Sequence, residues 1–341
     1  MVTYINHESK AFGVNNASHR LMSLIVNSGV SVDFQRAFKS RFGSRNFDEM
    51  IITALNADLL AFEMALWPRE MKWQSYHIGF WSWELESFPG ALKPALGLVN
   101  EVWTVSEHAA NGIRGSSDQT VRKVLLPVPA QPIREKRASS KFTFLTAFDF
   151  QSDINRKNPG AAIRAYIQAF PNNSQTQLIV KSTNHQAFGK QLAELRKLAD
   201  FRSDVIFITE VLPEGAYKQL LSKADCFISL HRAEGFGLNL ADSMGLGIPV
   251  IATGYSGNLE YMDETNSLLI PYEMSEVDSY AGFRVQSRWA EPNIEAAANA
   301  MALIAGDEKI YSNISNRARK KIENNFSLEA TVRKFVREFC E

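Results

Sequence analysis

The stretch Cys226–Met262, CFISLHRAEGFGLNLADSMGLGIPVIATGYSGNLEYM, restricts what this chain can fold into more than any other part of it. Cys226–Leu230 is a short apolar, partly β-branched run of strand length. Gly235 and Gly237 then let the backbone turn tightly and approach a ligand with no Cβ in the way. A helix is expected from about Leu238, and its free N–H groups, at the positive end of the helix dipole, form an anion site. Gly245 and Gly247 stop that helix and Pro249 cannot continue it. Val250–Thr253 is the next strand, followed by Gly254, Gly257 and a further helix start at Asn258. Two glycine-linked helix starts beyond adjacent strand ends imply one crevice at the carboxyl edge of a parallel sheet. The rest of the second half repeats the unit: runs at 142–147, 177–181, 205–208 and 268–270 also read as strands, each followed by a helix or turn. Strands alternating with helices give a parallel sheet covered on both faces.

Two carboxylates lie in this stretch, Glu234 in the loop and Asp242 one turn into the helix. With an anion-binding helix end between them, they suit a ligand carrying hydroxyls on either side of a diphosphate: a sugar at one end, a ribose at the other. The run E-G-F-G-L-x-L-x-D-x-M-x-x-G-x-P-V-I-A-T resembles the E-x7-E signature of retaining family-4 glycosyltransferases with the GT-B fold. That resemblance implies two Rossmann-like domains with parallel sheets facing across a cleft, and transfer of a sugar from a nucleotide-sugar donor. It places Glu234 by the donor sugar and Asp242, here in place of the second Glu, on the nucleotide ribose. Gly235, Phe236, Gly237, Leu238 and Asn239 would then cradle the donor. His231 and Arg232 just upstream fit either contact with a phosphate or a solvated loop.

At 341 residues, the chain has length for two domains, each with its own core. The boundaries expected are 1–130 for an N-terminal acceptor-binding domain, 131–325 for a C-terminal donor-binding domain, and 326–341 for a terminal helix crossing back to the first. The prolines at 127, 129 and 132, followed by the charged IREKRASS, mark the linker. Zero formal net charge gives no general attraction to nucleic acid. Cys226 and Cys340 suggest neither a disulfide framework nor a metal cluster. No apolar run reaches membrane-span length and no signal peptide is read at the start, so a cytoplasmic protein is expected, either free or at the inner membrane face.

In the first half, a strand VTYIN, a loop around Gly13 and a helix with Leu21, Leu24 and Ile25 on one face again bring backbone donors to a sheet edge. By resemblance, Gly13 and Val14 would touch the donor phosphates. Phe34, Phe38 and Phe42 recur every four residues among Arg36, Lys39, Arg41 and Arg45, and Phe47 ends the stripe. This fits a helix packing aromatics into the core with bases outside, or peripheral contact with an anionic membrane surface. After the strand YHIGF comes WSWELESFP, an aromatic and acidic loop. Trp83 and Glu84, with His77 inside the strand, are acceptor-side candidates, because indole faces stack on sugars and carboxylates accept from hydroxyls. Buried core packing is the alternative for the rings, and a packed histidine the alternative for His77.

In the second half, Asn158-Pro159 reads as a helix cap followed by proline at the first helical position. Arg156 and Lys157 therefore stand beside a helix start, where two cations neutralise a departing diphosphate. The resemblance also assigns them to the donor diphosphate. Lys181 at a strand end is a further donor-side candidate, and the resemblance implies that the turn at Val211 and Leu212 receives the nucleotide base through backbone groups. No metal and no cofactor beyond the donor are expected. The activity implied is retaining transfer from GDP-mannose or a UDP-sugar to a saccharide or lipid-linked acceptor, as in cell-surface polysaccharide assembly. The alternatives are a non-catalytic nucleotide-sugar-binding GT-B protein and a sugar-nucleotide epimerase.

Overall fold

The apolar runs form strands in two six-stranded sheets. A computed structural model describes residues 2–6, 12–37, 50–67, 72, 74–116, 118–129, 141–172, 175–200 and 202–340. The chain divides into two units. One comprises 1–127, 276–288 and 326–341; the other comprises 128–275 and 289–325. The division near residue 128 lies close to the proline-rich stretch, while 131–140, most of the expected linker, falls outside the described residues. The assignment of 276–288 to the first unit has no counterpart in the sequence reading.

In the first unit, β1 (Val2–Asn6), β2 (Val32–Arg36), β3 (Met50–Ala54), β4 (Tyr76–Phe80), β5 (Glu101–Thr104) and β6 (Thr120–Lys123) pair in parallel in the order β2-β1-β3-β4-β5-β6. Ser106 caps the next helix, Glu107–Arg114, accepting from the Ala109 N–H. The terminal helix Leu328–Phe339 belongs to this unit, setting Phe335 and Phe339 edge-on to Trp103 at centroid distances of 5.7 and 4.9 Å.

Two expectations for this unit are corrected. Gly13 and Val14 lie in the first turns of the helix Phe12–Asn27, not in a loop before it. Phe34 and Arg36 lie in strand β2, with Phe34 stacked near Tyr4 at 6.3 Å, so the fourfold phenylalanine spacing does not mark a helix there. The remainder of that stripe, 38–47, is outside the described residues.

The second unit contains β7 (Phe142–Asp149), β8 (Thr176–Thr183), β9 (Val205–Ile208), β10 (Cys226–Ser229), β11 (Val250–Thr253) and β12 (Leu268–Ile270), all parallel, in the order β12-β11-β10-β7-β8-β9. β7, β10 and β11 are buried nearly throughout, which is why they read as unbroken apolar runs. The helix Pro159–Ala169 packs on Ile294–Gly306, its Ala161, Ala162 and Ala165 buried with Ala297 and Met301 in one core. β13 (Tyr272–Tyr280) and β14 (Phe283–Pro292) form a two-stranded hairpin where the sequence suggested no strands.

The order of the second sheet decides where a ligand goes. From β7 the chain moves to β8 on one side, while β10 lies on the other, so the topology reverses between β7 and β10. Ligands in open parallel sheets bind beyond the carboxyl ends of the strands at such a reversal. The neighbours are held in register by Asp225, whose carboxylate accepts from the Thr143 N–H at 2.7 Å while its own N–H donates to the Thr143 carbonyl at 2.7 Å.

Candidate active site

The two chain segments that leave the reversal point carry the cations and the acid singled out from the sequence. After β7, Asp153 caps a one-turn helix, Ile154–Lys157, accepting from the N–H groups of Asn155 and Arg156. After β10 the chain runs through His231, Arg232 and Ala233 to Glu234. Lys157 Nζ donates to Glu234 Oε1, and Arg156 Nη1 lies 3.2 Å from Glu234 Oε2. Arg156 also donates to the carbonyls of Ala233 at 2.8 Å and Ser152 at 3.1 Å. Arg156 and Glu234 are buried, whereas Lys157 is partly open. Burial by itself raises the Glu234 pKa, but Lys157 and Arg156 outweigh it and hold the carboxyl at about 2, so Glu234 is ionised at neutral pH.

The glycine loop is fixed from beneath. The Glu234 N–H donates to Ser256 Oγ at 2.8 Å, and the Gly257 N–H donates to the Glu234 carbonyl at 2.9 Å. A Cβ on Gly257 would lie 1.9 Å from the Gly235 carbonyl oxygen, so the loops after β10 and β11 approach too closely for any other residue. Ser256 has φ +78, a conformation costing a non-glycine residue about 1–3 kcal/mol and found mostly where function needs it. Gly237, at φ +83, is the turn from which the helix Leu238–Gly245 starts, and the Tyr261 hydroxyl lies 2.8 and 2.7 Å from the carbonyls of Phe236 and Gly237. The amides that open this helix thus have a held position. Asn239 and Asp242 are half-buried on it.

His231 is part of the foundation. Its ring is fully buried, with Nδ1 3.1 Å from Ser229 Oγ and Nε2 3.1 Å from Asn258 Oδ1. Asn258 donates its amide to the Thr253 carbonyl, so Oδ1 accepts, Nε2 carries the proton and Nδ1 accepts from the serine. Burial pushes its pKa down, in keeping with a neutral ring. Both ring nitrogens are engaged within the fold, so a phosphate contact is not its part.

Lys181, at the end of β8, donates to the carbonyls of Ser182 at 2.7 Å and Glu210 at 2.9 Å. Burial lowers its pKa against the opposing pull of Glu210 and Asp149. It is buried against backbone, bracing the turn that leads to Val211 and Leu212. Val211 is 53% exposed, an open apolar side chain beside that turn. Sequence reasoning missed Tyr217, on the helix Glu214–Lys223. Its hydroxyl is buried with no hydrogen-bond partner among the described residues, and its pKa is raised by burial and by the charge of Asp242. An aromatic residue a few positions beyond Val211 and Leu212 was the sequence signal for it.

The acceptor-side candidates lie in the first unit. Trp83 is 5% exposed, donates its indole N–H to the Ser87 carbonyl at 3.0 Å, and stands edge-on to Phe88 and Tyr280. Glu84 accepts from the Tyr280 hydroxyl at 2.8 Å. His77 is buried edge-on to Trp67. The Trp83 and His77 rings are thus taken up by packing, and Glu84 is the half-buried member of the three. Among the described residues, no three or more His, Cys, Asp or Glu side chains gather as a metal site, and no helix is long and apolar enough to cross a membrane.

Residues 154–321 match the family model for Glycosyl transferases group 1. Among solved structures, Anabaena HepE in complex with UDP and glucose is 12% identical with a TM-score of 0.71, the match covering 99% of each chain. Sucrose-phosphate synthase from Thermosynechococcus elongatus is 14% identical with a TM-score of 0.71, over 100% of this chain and 98% of that one. S. aureus TarM, in complex with fondaparinux, alpha-GlcNAc-glycerol and UDP, is 12% identical with a TM-score of 0.64; 84% of this chain matches 54% of TarM, about half its length. No curated protein matches by sequence. At these identities the solved structures speak to the fold, and the fold is GT-B.

Proposed function

We propose, from the match of residues 154–321 to the family model for Glycosyl transferases group 1, that the chain moves a sugar, with retention and without a metal, from a nucleotide sugar to a saccharide or lipid-linked acceptor. The observation that carries this reading is the pairing of Lys157 and Arg156 with Glu234 where the sheet reverses, next to the held start of Leu238–Gly245. Two cations and one carboxylate leave an excess positive charge, and helix amides add to it. That is electrostatic stabilisation aimed at a departing diphosphate, a preorganised field that costs no rearrangement as charge develops. Glu234, ionised and fixed at its backbone, orients donor hydroxyls and faces positive charge growing at the anomeric carbon. Asp242 accepts from the ribose. The acceptor hydroxyl attacks on the face from which the diphosphate leaves, and a leaving phosphate oxygen takes its proton. In this chemistry the cations do the work of a metal. Polysaccharide assembly at the inner membrane face is the proposed setting.

UDP accompanies the HepE and TarM structures, so UDP-sugars head the donors to test, with GDP-mannose alongside. The test is incubation with each donor while following nucleoside diphosphate release and the fate of the sugar. Transfer or slow hydrolysis supports the assignment. Sugar inversion with the diphosphate intact indicates an epimerase, and binding without turnover a non-catalytic protein.

A further inference from the structure

Arg232 lies two residues before Glu234, and its charge is already matched. Nε donates to Glu291 Oε2 at 2.5 Å, and the guanidinium lies over the Trp289 ring at 5.4 Å. Its other contacts are with backbone. Nη1 donates to the Asn155 carbonyl at 2.6 Å, the Arg232 N–H donates to the Arg156 carbonyl at 2.8 Å, and the Arg232 carbonyl accepts from the Ala290 N–H at 2.9 Å.

The first of these has a cause in the sequence. In a helix the Asn155 carbonyl would accept from the residue four places on, but that residue is Pro159, which has no N–H. The turn carrying Arg156 and Lys157 therefore ends with an acceptor that its own helix cannot satisfy, and an external donor is required. The arginine fork supplies it while gripping the carboxylate of Glu291 on the base of β14.

We propose that Arg232 is a positioning residue: it clamps the Ile154–Lys157 turn to the Glu234 loop and to the base of the hairpin, and so sets where Arg156 and Lys157 stand. This rests on the donor-site reading above for its functional consequence, though not for the clamp itself. A lysine keeps the charge but not the fork, so Arg232→Lys separates a clamp from a phosphate ligand. Glu291→Ala separates them by sign. It frees Arg232, which strengthens diphosphate binding if Arg232 reaches the phosphates and weakens it if Arg232 must be anchored.

The experiment measures UDP, GDP and uridine affinities by calorimetry for the unaltered protein, Arg232→Lys and Glu291→Ala, with amide hydrogen exchange over residues 154–160. The expected result is at least a tenfold loss of nucleoside diphosphate affinity in both variants, uridine binding within twofold, and faster exchange across the turn. Unchanged affinity in Arg232→Lys, tighter binding in Glu291→Ala, or exchange that does not move overturns the proposal. If the unaltered protein binds neither diphosphate, the donor reading fails, and the exchange rates still decide whether Arg232 holds the turn. Should Arg232→Lys fold poorly, Glu291→Ala, at a half-exposed position, carries the test alone.

Discussion

Replacing Glu234 by Gln removes the anion from a buried site and leaves Arg156 and Lys157 facing an amide. The carboxyl is held at about 2 against an ordinary 4.5, and each unit of such a shift corresponds to about 1.4 kcal/mol. Its ionised form therefore contributes roughly 3 kcal/mol to folding. That agrees with the ~3–5 kcal/mol that follows when one member of a buried pair is lost.

The pH dependence has a definite sign. The folded value lies below the unfolded one, so the contribution is fully present above pH 4.5 and is lost as pH falls from there towards 2. The assay is urea unfolding followed by tryptophan fluorescence at pH 7, 5 and 3. Glu234→Gln should be less stable by about 3 kcal/mol at pH 7 and nearly as much at pH 5, with less than half that difference left at pH 3. A variant within 0.5 kcal/mol of the unaltered protein at pH 7, or a difference that stays the same at pH 3, would refute the charge argument. Turnover should fall roughly a hundredfold, the usual cost of one preorganised charge.

Lys157→Ala should also lower turnover by roughly two orders of magnitude, read by nucleoside diphosphate release; near-normal transfer would remove its role. Asp242→Ala should weaken nucleoside diphosphate binding and leave saturated turnover nearly intact, and unchanged affinity by calorimetry counts against the ribose contact. Gly257→Ala drives a methyl into the Gly235 carbonyl at 1.9 Å, so the loops must separate; a loss above ~3 kcal/mol is expected from such overpacking and strain, and near-native stability by urea titration contradicts the stitched-loop geometry.

The parts of the fold legible in the sequence are those whose burial is uniform or whose chemistry is local. β7, β10 and β11 are covered on both faces and appear as apolar runs, and the helix from Leu238 announces itself through Gly237 before it and Gly245 at its end. β13 was hidden because Val277 and Tyr280 are its only buried residues, so YEMSEVDSY carries no regular alternation. β2 was hidden because a sheet-edge VDFQR with an exposed Phe34 happened to share a helical spacing with later phenylalanines. Trp81 and Trp83 illustrate a limit of composition: an indole offers the same face to a sugar and to a core, and the surroundings decide.

The site followed the same division. Glu234, Asp242 and the glycines lie within one helical start and could be read together, whereas the contact of Lys157 with Glu234 spans 77 residues and depends on β7 and β10 being neighbours. That adjacency also gives the carboxylate a second duty. Two cations beside a helix start would repel each other and any further positive charge, and Glu234 neutralises one of them. The sequence shows these three residues without showing that they share a charge.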